Sequence, residues 1–489
     1  MPILERIVVA DESPHRGLPH VIQRKFLHSM SSPLIISVSG LRGIVGESLT
    51  PLVTARYVAA YATWLRSQQE EGGDLTVIVA RDGRDSGAML MQTVVSSLSA
   101  CGIHCKIADV AATPTVGILV TDLKANGAIQ ISASHNPPPY NGMKLFGEDG
   151  RVIPADRGAE VQRYYESGEL AWQPHHRLGT IETIEDTVSA HLNRVLATVD
   201  VPRIKQEEFR VVLDSNHGSG SVLGKRLLEE LGCRVTMSGG QPDGQFQHPP
   251  EPTEVNLAGV TRLALDNQAQ VVFCQDPDAD RLAIIDQAGT YIGEEYTLAL
   301  TLAHALSMQP GPVVTNCSSS RMSQDLAARY GVPCHLSKVG EANVTDLMKS
   351  TNAVYGGEGS GGPIDPRVGY VRDSFVGMAQ VLDAMAANGK SVEQLVQQIP
   401  RYFIHKTTVQ LPSNQERVAA IEAAFEKLAR AFSDQQISRQ DGLRVDWKDA
   451  WLLVRPSNTE PIVRAVAEAS TLQHARQLCE QAAKTIAGD

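Results

Sequence analysis

The chain has no paired-cysteine motif, no long apolar run and no excess of basic residues, and each absence removes a class of function. Its seven cysteines (Cys101, Cys105, Cys233, Cys274, Cys317, Cys334 and Cys479) are an odd number, scattered, with no C-x-x-C pair. That spacing argues against both a disulfide framework and a zinc site, and for reduced thiols. No apolar stretch approaches the ~18 residues needed to span a bilayer, and the first thirty residues show no hydrophobic core of a secretion signal. The protein is therefore expected to be cytoplasmic, with residues 1–30 as an N-terminal extension and Met30 as an alternative start. The net charge of −11, without long like-charge runs, offers no footprint for nucleic acid or an anionic membrane. A small anionic substrate would have to meet a local basic pocket.

What is present is ordinary for a soluble enzyme: 489 residues, 42% hydrophobic and 20% charged, enough for three or four domains. A pattern repeats three times along it. "LTVIVARDGRDSG", "FRVVLDSNHGSG" and "GPVVTNCSSS" each run from an apolar β-branched strand into a polar turn, followed by a helix-like stretch. A second short strand comes next in each ("CGIHCKIADV", "LGCRVTMSGG", "YGVPCHLSKVG"), and then a third ("ANGAIQISASHNP", "AQVVFCQDPDADR", "TNAVYGGEGSGG"). Alternating strands and helices predict three tandem related α/β domains with mixed, mainly parallel sheets. Beyond about residue 400, helix-like "SNQERVAAIEAAFEKLARAF", strand-like "LRVDWKDAWLLVR" and a closing helix pattern predict a smaller α+β domain. The expected boundaries are 31–176, 177–290, 291–401 and 402–489.

The most unusual loop of each repeat follows its third strand, where open α/β sheets place ligands. In "ISASHNPPPYNGMKLF", residues 131–146, the prolines forbid a helix and stiffen the segment around Ser134 and His135. Such a loop suits a nucleophile, and equally a simple corner. "DPDADR" sets Asp276, Asp278 and Asp280 at alternate positions, able to converge on one hard cation such as Mg²⁺. An EF-hand is excluded by Arg281 at the sixth position and Gln287 at the twelfth; a solvated acidic turn is the plain alternative. "GEGSGG", residues 357–362, combines bare backbone with Glu358 and Ser360, which suits adjacent sugar hydroxyls or a flexible turn. "RPSNTEP" brings Arg455, Ser457, Asn458 and Thr459 together as an anion clamp, with a helix capping box as its alternative. In "SGLRG", Arg42 is a further phosphate contact or a plain surface arginine, and Thr50 with Pro51 fits a helix start just after it. An acceptor oxygen, a divalent cation and phosphate donors are the parts of phosphoryl transfer.

In that order, "SASHNP", "DPDADR", "GEGSGG" and "RPSNTEP" resemble the phosphoserine, magnesium, sugar and phosphate loops of the α-D-phosphohexomutases, over the chain from about residue 35 onward. The resemblance implies four domains around a central cleft, and interconversion of hexose 6-phosphate and hexose 1-phosphate through a bisphosphorylated sugar. Ser134 would carry the phosphoryl group and, with Asp276, Asp278 and Asp280, complete a Mg²⁺ site. Arg42, His135, Lys144 and Arg281 would surround it, with Lys144 as acid or base if neighbouring cations depress its pKa. Lys338, Glu358, Ser360, Arg455, Ser457, Asn458 and Thr459 would bind substrate. Two positions depart from the common bacterial pattern. Gly362 stands where many members have histidine, which shifts acid–base work towards Lys144 or His135, and Ser374 stands where glycine is frequent. The resemblance favours phosphoglucosamine mutase over phosphomannomutase/phosphoglucomutase, with a Mg²⁺-dependent sugar phosphatase as a further alternative; retention of Ser134, the three aspartates and Lys144 argues against a non-catalytic sensor. Mg²⁺, an optional hexose 1,6-bisphosphate activator, a sugar phosphate as partner and a monomer or homodimer complete the expectations.

Overall fold

The computed structural model describes residues 34–37, 40–69, 73–410, 417–456 and 462–487. The N-terminal extension and Ser457, Asn458 and Thr459 of the expected phosphate loop lie outside the described residues. The first sheet holds β1 (Ile35–Ser37), β2 (Gly40–Ile44), β3 (Thr76–Arg81), β4 (His104–Val110), β5 (Gly127–Ile131), β6 (Tyr140–Gly147) and β7 (Ile181–Thr183) in the order β1-β2-β6-β5-β3-β4-β7. The second contains β8 (Arg210–Asp214), β9 (Arg234–Ser238), β10 (Val271–Gln275) and β11 (Leu282–Asp286), ordered β11-β10-β8-β9. The third is β12 (Val313–Asn316), β13 (Cys334–Ser337), β14 (Tyr355–Glu358) and β15 (Gly362–Ile364), ordered β13-β12-β14-β15. A common unit is visible in all three: two parallel neighbours flank the first strand, and the third strand turns back into an antiparallel fourth.

That hairpin explains where the three predicted loops fall. Residues 132–139 join β5 to β6, 276–281 join β10 to β11, and 359–361 join β14 to β15. The alternation along β3 shows why the parallel strands read as continuous apolar runs. Val77 and Val79 pack with Tyr57, Leu90 and Ile129 on one face, while Ile78 and Ala80 pack with Val116 and Ala128 on the other. The helix Pro51–Ser67 starts as its sequence implies: Thr50 Oγ1 accepts from the Val53 amide and proline occupies the first turn.

Beyond the expected boundary at residue 176, β7 pairs in parallel with β4 through Cys105↔Ile181, so the first sheet reaches Thr183. With all three residues exposed at the sheet edge, β7 has no apolar alternation by which its membership could be read.

The second and third domains share one core. Leu213 and Phe273, Val313 and Tyr355, and Phe375, Met378 and Leu382 belong to a single buried cluster. The last three lie on the helix Ser374–Asn388, which is buried on nearly every face from Ser374 to Met385 and is apolar there apart from Ser374, Gln380 and Asp383. The fourth domain is an antiparallel sheet, β16 (Phe403–Gln410), β17 (Gln436–Ser438), β18 (Leu443–Asp446), β19 (Ala450–Pro456) and β20 (Ile462–Ala469), ordered β16-β20-β19-β18-β17. One face packs on the helices Arg417–Ala431 and Leu472–Ala487. The other sends Trp451 and Leu453 against Cys317 of the third domain.

Leu382 is fully buried where the second and third domains meet. Leu382→Ala should cost ~2–5 kcal/mol, read as a lower midpoint in urea unfolding; a loss well below that range would show that this helix is not a core element of both domains.

Candidate active site

Ser134 sits in the first hairpin loop in a left-handed conformation, φ +47°. A non-glycine residue held there costs ~1–3 kcal/mol and persists only where its surroundings over-determine it. The surroundings are a residue the motifs did not reveal, Arg84 of "ARDGRDSG". Its guanidinium is buried and donates to four carbonyls of the serine loop: Ser134 (2.7 Å), Asn136 (2.6 Å), Pro137 (3.0 Å) and Tyr140 (3.0 Å). Asp82 balances its charge at 3.1 Å, and the Ser132 hydroxyl donates to Asp82 while accepting from the Ser134 amide at 2.8 Å. The prolines therefore share the stiffening with an arginine fork.

From this loop the Ser134 hydroxyl donates to Asp276 Oδ2 of the second domain at 2.8 Å, with His135 Nδ1 at 3.3 Å. Asp276, Asp278 and Asp280 are fully buried, and one carboxylate oxygen from each lies within 4.8 Å of the others. Between Asp278 and Asp280 the loop turns on Ala279, also left-handed at φ +56°. Lys144, on β6, reaches Asp278 Oδ2 at 2.6 Å and Asp280 Oδ2 at 2.8 Å. Thr113, at the start of the helix Thr113–Asp122, donates its amide to the Asp278 carbonyl (2.9 Å) and its hydroxyl to Asp278 Oδ2 (2.5 Å).

The three carboxylates differ electrostatically. Burial, then repulsion from Asp280 and Asp278, pushes Asp276 far above the usual carboxylate range. Burial acts the same way on the other two, but Lys144 overrides it at Asp278, and Arg372 with Lys144 overrides it at Asp280, holding both below that range. Asp278 Oδ1 and Asp280 Oδ1 are buried and accept no hydrogen bond among the described residues. Orphaned buried oxygens beside a carboxylate destabilised by its neighbours fit a hard divalent cation, so the loop satisfies the chemistry expected of it.

Burial opposes the charge of Lys144, but Asp278 and Asp280 prevail and raise the ammonium above its ordinary value; a divalent cation sharing those two carboxylates would act in the opposite direction. His135 is the group held neutral: burial, then Arg281 and Arg42, bring it down to about 3. Arg42 Nη1 donates to Asn136 Oδ1 at 3.1 Å, and the Arg281 amide donates to Asp276 Oδ1 at 3.1 Å. Glu251, absent from the sequence reading, lies 4.0 Å from His135 Nε2 and 3.9 Å from Arg281 Nη1.

In the third hairpin, Glu358 Oε1 accepts from Asn316 Nδ2 (2.7 Å) and the Gly340 amide (3.0 Å). Its other oxygen meets Arg372 Nη1 at 2.9 Å, and Ser360 Oγ lies 3.4 Å from the same nitrogen. Arg372, a second missed residue, also binds Asp280 at 2.7 Å, tying this loop to the acidic one. Gly362, noted for lacking a side chain, has no room for one: a Cβ there would lie 2.4 Å from Arg372 Cδ. Lys338 is exposed; the next residue, Val339, donates its amide to Asp441, which also takes Arg455 Nε at 3.0 Å. Arg455 and the Lys338 segment thus share a carboxylate across the third and fourth domains.

Beneath Gly359, whose Cβ would collide with the Glu295 carboxylate, Glu295 Oε2 accepts from the Ser320 amide at 2.9 Å. Burial pushes Glu295 up to about 8 and its neighbour Glu294 up to about 7. A carboxyl whose folded pKa lies above its unfolded value keeps its proton longer in the folded state, so stability falls as pH rises from about 4.5 through 8. Glu295→Gln should flatten Tm against pH over that window in scanning calorimetry; an unchanged slope would contradict the assignment.

The same layout occurs in known proteins. Phosphoglucomutase/phosphomannomutase domains I, II and III, described as alpha/beta/alpha, match residues 34–172, 189–289 and 294–403, and the C-terminal domain matches 407–485. A phosphoglucomutase/phosphomannomutase of Thermococcus kodakarensis is 34% identical over 451 residues, covering 91% of this chain and 97% of that protein. A probable phosphoglucosamine mutase of Thermococcus gammatolerans is 30% identical, covering 92% and 97%. The crystal structure of a phosphoglucomutase/phosphomannomutase family protein from Burkholderia thailandensis superposes with a TM-score of 0.80 at 26% identity, covering 93% of this chain and 97% of that one. With all four domains matched in order and the hairpin loops converging as described, the chain belongs to the phosphoglucomutase/phosphomannomutase family of α-D-phosphohexomutases.

Proposed function

We propose that the protein interconverts hexose 6-phosphate and hexose 1-phosphate with Ser134 as the phosphoryl carrier, and that glucosamine phosphates are its preferred substrates. The observation that carries this reading is the strained Ser134, its hydroxyl 2.8 Å from the buried Asp276 and within reach of a neutral His135. In the first half-reaction the bond from phosphorus to Ser134 Oγ breaks as a sugar hydroxyl oxygen bonds to phosphorus. That hydroxyl's proton passes to a base, for which His135 and Lys144 are the groups at the site, and the freed Ser134 oxygen takes a proton from a neighbouring acid. In the second half the Ser134 oxygen attacks the other phosphate of the bisphosphate, giving its proton to a neighbour, and the sugar oxygen leaves with a proton. Lys144, paired with Asp278 and Asp280, would border the transferring group and is the second group placed to carry a proton there.

Asp276, Asp278 and Asp280 would hold Mg²⁺, which supplies a divalent charge opposite the phosphoryl oxygens. Arg42 and Arg281 would border the transferring phosphate. Glu358 and Ser360 would take sugar hydroxyls, and Arg455, Ser457, Asn458, Thr459 and Lys338 the phosphate that is not reacting. A hexose 1,6-bisphosphate would serve to load Ser134 initially. The preference for glucosamine phosphates has a specific rival, because the 34% identical relative is named for glucose and mannose phosphates.

Ser134→Ala should lower kcat by more than ~10³-fold while phosphosugar binding stays measurable, because the covalent route is lost and the binding loops remain. Equal loss of binding by calorimetry would make the serine structural. The ratio of kcat/KM on glucosamine, glucose and mannose 6-phosphates decides the sugar; a higher value on mannose or glucose would overturn the glucosamine assignment.

A further inference from the structure

Three consecutive residues at the start of the helix Ser374–Asn388 each grip the second domain. Arg372 Nη2 binds Asp280 Oδ2 at 2.7 Å. Asp373 Oδ2 meets His191 Nε2 at 2.7 Å, while its Oδ1 accepts from the Phe375 and Val376 amides and caps the helix. The Ser374 hydroxyl donates to the Ala279 carbonyl at 2.7 Å and accepts from Gln275 Nε2 at 2.8 Å. Because the Gln275 amide occupies its acceptor side, the Ser374 proton is directed at Ala279. Ala279 is the left-handed residue between Asp278 and Asp280, so its carbonyl is the handle by which that strained turn can be held. A glycine at 374 would leave Ala279 only the residue-374 amide, now at 3.4 Å.

Arg372 extends the grip to the other loop. Nη1 lies 2.9 Å from Glu358 and 3.4 Å from Ser360, and Nε 2.9 Å from Glu341. Its aliphatic stem covers Gly362, so this rotamer and any side chain at 362 exclude one another.

We propose that Arg372 and Ser374 are positioning residues that hold the acidic loop and the hydroxyl-binding loop in one register, Ser374 through the Ala279 carbonyl and Arg372 through Asp280 and Glu358. The claim about the acidic loop needs only its cation chemistry; the claim about substrate rests on the phosphohexomutase reading. The test is calorimetric titration of Mg²⁺ into the full-length chain, with steady-state kinetics on glucosamine 6-phosphate alongside. Ser374→Ala should weaken Mg²⁺ binding by ~10–100-fold, as loss of a ligand-orienting partner does, with KM changed by less than ~2-fold. Arg372→Lys, which keeps the charge and loses the fork, should weaken Mg²⁺ comparably and also raise KM, because Arg372, unlike Ser374, contacts Glu358. Folding of both is checked by melting without Mg²⁺, and if one variant does not fold the other decides. A folded Ser374→Ala with wild-type Mg²⁺ affinity, or a folded Arg372→Lys with both constants unchanged, overturns the proposal. A wild-type chain that binds Mg²⁺ but interconverts no hexose phosphate overturns the functional reading instead, and the titration still decides the positioning role.

Discussion

Three carboxylates buried on one six-residue turn are the constraint around which this protein is arranged. Unpaired, Asp276, Asp278 and Asp280 would carry a desolvation cost that a domain's net stability could not absorb. Arg281 on the loop itself supplies part of the compensation, and other domains supply more: Lys144 from the first and Arg372 from the third both contact this loop of the second. Local charge balance and domain assembly are therefore one problem. Two oxygens, on Asp278 and Asp280, are left without hydrogen bonds among the described residues, and the charged form of Asp276 is disfavoured by burial and by its two neighbours. That residue of imbalance is what a cation and a phosphoryl group can use.

Placement follows from a repeated unit. In each of the first three domains a parallel third strand reverses into an antiparallel fourth, and the chemistry sits in the reversal. Each reversal leaves a strand buried at every residue, β5, β10 or β14, and so starts from a backbone that cannot relax, which suits a strained residue. Ser134 and Ala279 are held left-handed in two of these reversals, each with its carbonyl bound by a buried donor, Arg84 for one and Ser374 for the other. The fourth domain joins by other means. Arg444 donates to the Cys317 carbonyl and stacks 4.5 Å over Trp451, and Asp441 links Arg455 to the Lys338 segment.

Much of this was legible in the chain because it is local. The three strand–turn–helix repeats, the hairpin loops after each third strand and the helix start at Thr50 depend on residues within a few positions of one another. Arg84, Thr113, Glu251 and Arg372 were not legible, for one physical reason. Each acts on a partner far along the sequence, such as Asp280 for Arg372, 92 positions away, and a lone arginine or threonine on a loop carries no local mark of such a bond. β7 was missed because an exposed three-residue edge strand needs no apolar pattern. The ion pairs of Lys144 with Asp278 and Asp280 were not legible either, because its flanking sequence shows neither carboxylate.

The central claim is that Ser134 passes its phosphoryl group to a sugar and takes another back. Its most direct test is a single-turnover chase of enzyme phosphorylated on Ser134 with isotopically labelled phosphate and mixed with glucosamine 6-phosphate. The account predicts that label leaves Ser134 and is found first in a hexose bisphosphate, then in a sugar monophosphate, with none released as inorganic phosphate. Label appearing directly as inorganic phosphate, or retained on the serine while product forms, would contradict it.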